Sequence, residues 1–248
     1  MTNENDCVLS PTPLIMDTSP IKIDNGMRRQ IQTWRDTVAD RQQRLGWKTG
    51  FTLIADQQRL NLPSAMVGFL TRERCYRSGE HYQAPPGAVL LVEPEVAIQM
   101  GADVPAGASA EQACAAIASY TAALELVDTT RSVDDDMEAI LAGNMFHEGV
   151  VLAESQLPAR DYRREQLGIS LRINGCEVRT LEPVRVPEDF SAIILAVANT
   201  LAAQGEQLQK GDWIITGAAT KPAAVAAGDE IEVDMGVLGS LVLRIDKG

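Results

Sequence analysis

The sequence predicts an α+β protein whose main part is rich in strands. Short β-branched apolar runs outnumber the segments with helical spacing, and the two kinds do not alternate as βαβ units would. The 248 residues suffice for one large domain, or for a domain with a smaller appendage. We expect an N-terminal arm and mainly helical region over residues 1–65, followed by a strand-rich catalytic domain over 66–248.

Two helices are expected in the N-terminal region. Asn25-Gly26 is a turn signal, and the apolar residues of 27–45 then recur at roughly helical spacing, with Gly46 as a plausible stop. A second, short helix is expected over 54–60. These patterns predict helical structure between an irregular arm and the first strands.

The rest of the chain predicts mostly strands. A helix should begin after the capping box at Ser109 and run to about residue 120, and a second, apolar helix should cover 190–204. A hairpin is expected over 169–179, with Asn174-Gly175 as its turn. The other expected strands cover 89–100, 123–128, 150–153, 212–216, 229–234 and 241–245.

Charge and composition exclude several kinds of partner. With 22 basic and 34 acidic residues, the net charge is −12, which would repel nucleic acids and anionic membranes. The longest apolar run, 192–198, is far shorter than the ~20 residues of a membrane helix. The four cysteines have no paired spacing, and the first residues do not resemble a signal peptide. We expect a cytoplasmic protein that binds a small molecule.

Missing motifs restrict the chemistry further. The sequence has no Gly-rich dinucleotide or phosphate-binding loop, and no nucleophile elbow. With His81 and His147 as the only histidines, a multi-histidine zinc site cannot form. A bound metal would therefore need carboxylate ligands, which favour a hard ion such as Mg²⁺ or Mn²⁺.

Three glutamates stand in apolar, strand-like runs. Glu93 and Glu95 are two residues apart and so point to the same face of a strand, while Glu125 lies in a separate run. Side-by-side carboxylates on a half-buried face would repel each other unless a cation lay between them. The alternative is the solvent side of an edge strand with hydrated glutamates, and spacing alone leaves both open.

Five motifs, in this order and spacing, resemble a known enzyme family. The chain resembles the 2-hydroxypentadienoate hydratase and 4-oxalocrotonate decarboxylase family, within the fumarylacetoacetate hydrolase superfamily, over about residues 28–246. The motifs are 46–52 (GWKTGFT), 92–97 (VEPEVA), 123–128 (ALELVD), 208–218 (LQKGDWIITGA) and 227–229 (AGD).

The resemblance implies a mixed β-sandwich or β-roll core with a helical N-terminal part, and a Mg²⁺ or Mn²⁺ cofactor. The positions that match the metal ligands of the family are Glu93, Glu95 and Glu125. Those that match residues at the substrate, or lie near its pocket, are Lys48, Thr216, Gly217 and Lys221.

The chain departs from the family pattern in two places. Met66 stands where hydratases of the family usually have an aspartate that assists proton transfer. His147 and Glu148 replace a small, uncharged stretch that usually follows the asparagine matched by Asn144. Either residue could act as the acid or base that Met66 cannot be, or both could belong to a turn before the next strand.

Several functions are compatible with the resemblance. The first is a metal-dependent hydratase that converts a 2-hydroxy-2,4-dienoate into a 4-hydroxy-2-oxo acid. The alternatives are a decarboxylase of a 2-oxo diacid such as 4-oxalocrotonate, an acylpyruvate hydrolase, and a catalytically reduced partner subunit. The absence of a histidine before His81 counts against the hydrolase. We expect a homo-oligomer, with a complex with a related hydratase or decarboxylase as a further possibility.

Overall fold

The computed structural model describes residues 17–39, 41–130 and 136–248, so most of the predicted N-terminal arm lies outside the described residues. The described helices are α1 (Pro20–Thr37), α2 (Ile54–Leu60), α3 (Ala110–Ala115), α4 (Met137–Ala142) and α5 (Ser191–Ala203). The described strands are β1 (Arg44–Gly50), β2 (Met66–Thr71), β3 (Cys75–Arg77), β4 (His81–Ala84), β5 (Leu90–Met100), β6 (Ile117–Asp128), β7 (His147–Leu152), β8 (Leu157–Pro158), β9 (Ser170–Ile173), β10 (Cys176–Thr180), β11 (Trp213–Ala218), β12 (Ala223–Val225), β13 (Glu230–Asp234) and β14 (Ser240–Lys247).

Two mixed sheets carry the fold. The larger has the order β2-β1-β11-β5-β6-β7-β3, with β12 paired to β5 and β8 paired to β6. The smaller has the order β10-β9-β13-β14-β4. Most pairs are antiparallel, while β1 with β11, β3 with β7 and β4 with β14 are parallel. The described residues thus form two mixed sheets and only a few helices, which agrees with the predicted α+β class.

The two longest strands, β5 and β6, form the middle of the larger sheet. They pair antiparallel from Leu90 opposite Asp128 to Met100 opposite Ile117. Nearly every residue of β6 is buried, because other parts of the protein cover both of its faces. A strand buried on both faces reads as a continuous apolar run, which is how this segment appears in the sequence.

The predicted helical N-terminal region is not confirmed. β1 lies inside that region and joins the larger sheet between β2 and β11. Gly46, expected to end a helix, instead belongs to this strand. The predicted boundary at residue 65 separates β1 from its sheet partner β2, and the division into two domains stays a prediction.

The first helix begins and ends earlier than predicted. α1 starts at Pro20 and ends at Thr37, so the expected turn at Asn25-Gly26 is wrong. Proline is favoured in the first turn of a helix, since its missing N–H has no partner there in any case. Gly26 is buried where α1 crosses α4, and this contact outweighs the local turn preference.

Most other predicted elements agree with the structure. α2 has the predicted bounds, and the capping box at Ser109 is formed. The Asn174-Gly175 turn has positive φ at both residues, 52° and 77°, as the predicted turn requires. The helix that follows Ser109 is shorter than predicted, because the chain from Ile117 onward pairs with β5 instead.

No helix within the described ranges is both long enough and apolar enough to cross a membrane.

We expect Gly26→Val to destabilise the protein by about 1–3 kcal/mol, because overpacking displaces neighbours that cannot move freely. A Cβ at position 26 would lie 2.8 Å from the carbonyl oxygen of Glu138 and from Cβ of Leu141. Gly168→Val is the control, since nothing lies within 4 Å of its Cβ position. Urea unfolding of both variants measures the difference, and equal stability would show that α1 does not depend on this close contact.

Candidate active site

A cavity of about 250 Å³ opens beside the centre of the larger sheet. Its charged wall residues include Lys48 of β1, Glu93 of β5 and Glu125 of β6. Its apolar wall residues are Phe51, Leu53, Leu91, Val127, Ile140, Met145, Phe146, Ala218 and Pro222. The segment from β1 into α2 and the segment after α4 thus close over the middle of the sheet.

The three predicted carboxylates lie close together beside this cavity, and Glu93 and Glu125 are part of its wall. Glu93 and Glu125 are directly opposite each other in the register of β5 and β6, and Glu95 is two residues further along β5. One ligand oxygen from each residue lies within 4.8 Å of the other two. Glu95 is 0 % exposed and Glu125 is 1 % exposed. The alternative of hydrated glutamates on an edge strand is wrong, because both strands are interior.

Burial and mutual repulsion set the ionisation of two of the three glutamates. Burial, followed by the nearby charge of Glu125, raises the pKa of Glu93 to about 7. Burial, with the charges of Glu125 and Glu93, raises the pKa of Glu95 well above its ordinary value. Both shifts favour the protonated carboxyl, and a bound cation would oppose them by favouring the ionised form.

Glu125 behaves differently because two basic side chains reach it. Burial alone would raise its pKa, but Lys48 and a hydrogen bond from His147 together hold the pKa below its ordinary value. The Lys48 ammonium forms an ion pair with Glu125 Oε1, and His147 Nδ1 lies 2.7 Å from the same oxygen. A carboxylate has two oxygens, so Glu125 can accept both contacts on Oε1 and still offer Oε2 to an ion.

The donor set fits a hard divalent cation. Glu95 Oε2 accepts a hydrogen bond of 2.7 Å from the Gly217 N–H, whereas Glu95 Oε1 is buried and has no hydrogen-bond partner among the described residues. An unsatisfied buried carboxylate oxygen is costly. Carboxylates are the ligand type that Mg²⁺ and Mn²⁺ prefer, and a cation held by the three glutamates would give Glu95 a partner for its unsatisfied charge.

Gly217 lies in the cavity wall, and its backbone conformation explains why this position is a glycine. Its φ is +93°, and a Cβ there would collide with Oγ1 of Thr52. Thr216 is buried, and its hydroxyl donates to the Val96 carbonyl rather than facing the cavity. Of this predicted pair, Gly217 contacts the cavity and Thr216 joins β11 to β5.

Comparison with known proteins identifies the family. A family model described as fumarylacetoacetate (FAA) hydrolase C-terminal matches residues 32–246. The chain belongs to this fumarylacetoacetate hydrolase family. The family resemblance and the type of fold expected from the motifs are therefore confirmed.

The relatives of this chain include two kinds of enzyme. A 4-oxalocrotonate decarboxylase from a Pseudomonas species is 26% identical over 225 residues, which are 87% of this chain and 85% of that protein. The TodF product hydratase of Pseudomonas putida is 25% identical over 221 residues, or 88% and 82% of the two chains. The solved structure of 4-oxalocrotonate decarboxylase from Pseudomonas putida G7, complexed with magnesium and adipate, matches with a TM-score of 0.80 at 22% identity. That match covers 90% of this chain and 86% of the other.

Besides Thr216, the predicted site residues His147, Glu148 and Lys221 do not line the cavity. His147 nevertheless contacts Glu125, which does line it. Glu148 pairs with Arg74, with 2.9 Å between Oε2 and Nη1, and Tyr82 donates to the same oxygen over 3.4 Å. Lys221 is exposed, and its backbone N–H donates to Glu182. Successive residues of a strand face opposite ways, so Glu148 necessarily points away from the side to which His147 points.

The segment after α4 delivers a carbonyl to Lys48 by an unusual backbone path. Three successive residues, none of them glycine, have positive φ: Asn144, Met145 and Phe146, at 58°, 49° and 64°. Such a run is strained for L-residues and needs support from its surroundings. The Asn144 side chain supports this turn, because its Oδ1 accepts from the Phe69 N–H and its Nδ2 donates to the Phe69 carbonyl. The Met145 carbonyl accepts from Lys48 Nζ over 3.1 Å.

Sequence reasoning missed two charged residues of the cavity wall, Asp56 and Arg185. Arg185 is held by Glu182, with 2.9 Å between Nε and Oε2. Asp56 is on α2 and pairs with Arg59. Both lie in segments without a motif, and only the packing of α2 and the 183–185 turn against the sheet brings them to the site.

We expect the affinity for Mg²⁺ to fall as the pH drops below about 7, the value to which burial raises the pKa of Glu93. A divalent ion needs ionised ligands, so protons compete with it below that pH, by about tenfold per pH unit for each displaced proton. Titration calorimetry in buffers of different ionisation heat measures both affinity and proton release. Glu93→Gln should lower the number of protons released. Affinity that is constant between pH 6 and 8, without proton release, would contradict the assignment.

Proposed function

We propose that the chain is a divalent-metal-dependent lyase of small 2-oxo acids, which hydrates a 2-hydroxy-2,4-dienoate to a 4-hydroxy-2-oxo acid. The observation that carries the proposal is the close grouping of Glu93, Glu95 and Glu125 beside one cavity, with an orphaned oxygen on Glu95. The decarboxylase and hydratase relatives support the same class of chemistry. Mg²⁺ or Mn²⁺ is the proposed cofactor, as in the magnesium-bound decarboxylase structure.

A bound Mg²⁺ ion would supply a Lewis acid that polarises the 2-oxo group of the substrate. The protein residues do the rest of the work. The Gly217 N–H fixes one oxygen of Glu95, and Lys48 with His147 fixes one oxygen of Glu125. These contacts orient the ligand carboxylates before any substrate arrives, which is how outer contacts tune a metal site.

Lys48 has a further role in the proposed site. An ammonium group has three N–H donors, and Lys48 uses them toward Glu125 and the Met145 carbonyl, which leaves one. Lys48 lines the cavity, so the remaining N–H can donate to an oxygen of the substrate. We assign Lys48 to substrate capture and His147 to positioning of Glu125, and we leave Glu148 and Lys221 out of the site.

The direct test follows the ultraviolet absorbance of 2-hydroxypenta-2,4-dienoate with purified protein and Mg²⁺. We expect loss of the dienol signal that stops when a chelator is added, with a 4-hydroxy-2-oxo acid as the product. Glu95→Gln should abolish this activity, because the amide replaces a charged ligand oxygen. Glu154→Gln, at an exposed position, is the matched control and should retain it.

Dienol loss that is unaffected by chelator would contradict metal dependence. Complete absence of turnover would contradict hydration of this substrate.

A second candidate, decarboxylation of a 2-oxo diacid, is favoured by one observation. Arg185 lines the cavity and has an exposed side-chain fraction of only 19 %. The Arg185 Nε–H donates to Glu182, and the other N–H groups of the guanidinium can donate to a carboxylate. A six-carbon diacid bound at the three glutamates would have a second carboxylate to offer this cation.

We expect Arg185→Gln to raise the KM for a 4-oxalocrotonate-like diacid by about tenfold or more, since a charge-assisted hydrogen bond contributes roughly 1.5–3 kcal/mol. The KM for the mono-acid dienoate should change much less. Release of carbon dioxide and decay of the dienol measure the two reactions side by side. Equal effects on both substrates would show that Arg185 does not bind a second carboxylate.

The proposal also includes a homo-oligomer in the cytoplasm that acts on a small molecule. Light scattering of the purified chain measures the assembly directly.

A further inference from the structure

The cavity contains one titratable group that no role above uses. The charged residues of its wall are Lys48, Asp56, Glu93, Glu125 and Arg185. Glu93 and Glu125 belong to the carboxylate group, and Lys48 is held by Glu125. A guanidinium does not give up its proton at physiological pH, which excludes Arg185. Asp56 is thus the carboxylate of the described wall that remains outside the metal group.

The structure fixes Asp56 at the cavity. The chain leaves β1 at Gly50, lines the cavity with residues 51–53, and turns directly into α2. The side-chain amide of Gln57 donates to the Phe51 carbonyl over 2.9 Å and so ties the first turn of α2 to this wall. The position of Asp56 is therefore set by the same segment that carries Lys48.

The surroundings of Asp56 suit proton exchange. Arg59 Nη2 donates to Oδ1 over 3.1 Å, and Oδ2 has no partner among the described residues. The side chain is 38 % exposed, so water reaches it. Asp56 lines the cavity, and a carboxylate with one oxygen free of protein partners can bind a water molecule and accept its proton.

We propose that Asp56 is the acid–base catalytic residue for the addition of water, an inference that rests on the proposed hydration. The dienol first becomes the 2-oxo-3-enoate when the enol proton moves to carbon 5. The water oxygen then bonds to carbon 4 while Asp56 Oδ2 takes one water proton, and the resulting carboxylic acid gives a proton to carbon 3. One water is consumed, one C–O and one C–H bond form, and Asp56 ends as the carboxylate.

This role distinguishes the two candidate reactions. Loss of carbon dioxide leaves the bonding electrons on the substrate and needs no base to remove a proton from water. An ionised Asp56 would also repel the second carboxylate of a diacid. Removal of the Asp56 charge should therefore stop hydration while leaving any decarboxylation in place.

The test compares Asp56→Asn with Arg59→Gln on 2-hydroxypenta-2,4-dienoate. We expect Asp56→Asn to lower kcat by about 10²–10⁴, the usual contribution of a general acid–base group, with little change in KM. Its Mg²⁺ affinity, measured by calorimetry, should match the wild type, which also shows that the variant is folded. Arg59→Gln keeps the carboxylate and should retain most of kcat.

Two results would overturn the inference while the proposed function stands. One is an active wild type together with an equally active Asp56→Asn. The other is an equal loss in Asp56→Asn and Arg59→Gln with a raised KM in both, which would give Asp56 a structural role in α2. A wild type without chelator-sensitive hydration would instead overturn the proposed function, and the inference with it.

Discussion

The antiparallel pairing of β5 with β6 is the constraint on which the site depends. Its register sets Glu93 opposite Glu125, and the two-residue repeat of a strand then brings Glu95 into the same group. A shift of one residue would turn one strand's carboxylates to the other face, where they would be buried among apolar side chains. The length of the ladder, from residue 90 to residue 100, makes such a shift costly, since it would misplace every apolar residue along both strands.

The remaining parts of the site are added around this pair of strands. β1 and β11 bring Lys48 and Gly217 to one side, and the strained turn at 144–146 brings a carbonyl to Lys48. Short or unusual backbone carries these groups, whereas the carboxylates lie on long, regular strands. Each kind of backbone suits its groups, because ligands for an ion need a rigid scaffold and substrate-binding groups need access to the cavity.

The sequence was informative where local chemistry decides the structure. The three glutamates are recognisable because charged residues in apolar strands are unusual. The Asn174-Gly175 turn is recognisable because only certain residues adopt its dihedral angles. Asp56 and Arg185 could not be found in this way, since their place at the cavity depends on contacts between distant segments. His147 and Glu148 cannot both face the site, because consecutive residues of a strand face opposite sides.

The charges of the buried group indicate why Lys48 and His147 contact one glutamate only. Three ionised carboxylates and the Lys48 ammonium sum to −3 + 1 = −2, and His147 adds nothing, because burial lowers its pKa despite the opposing effect of Glu125. A divalent cation neutralises that sum. Without the ion, burial and the charge of Glu125 raise the pKa values of Glu93 and Glu95, whereas Lys48 and His147 hold the pKa of Glu125 below its ordinary value. The contacts of Lys48 and His147 therefore favour the ionised form of Glu125, and a cation would be needed to favour the ionised forms of the other two glutamates.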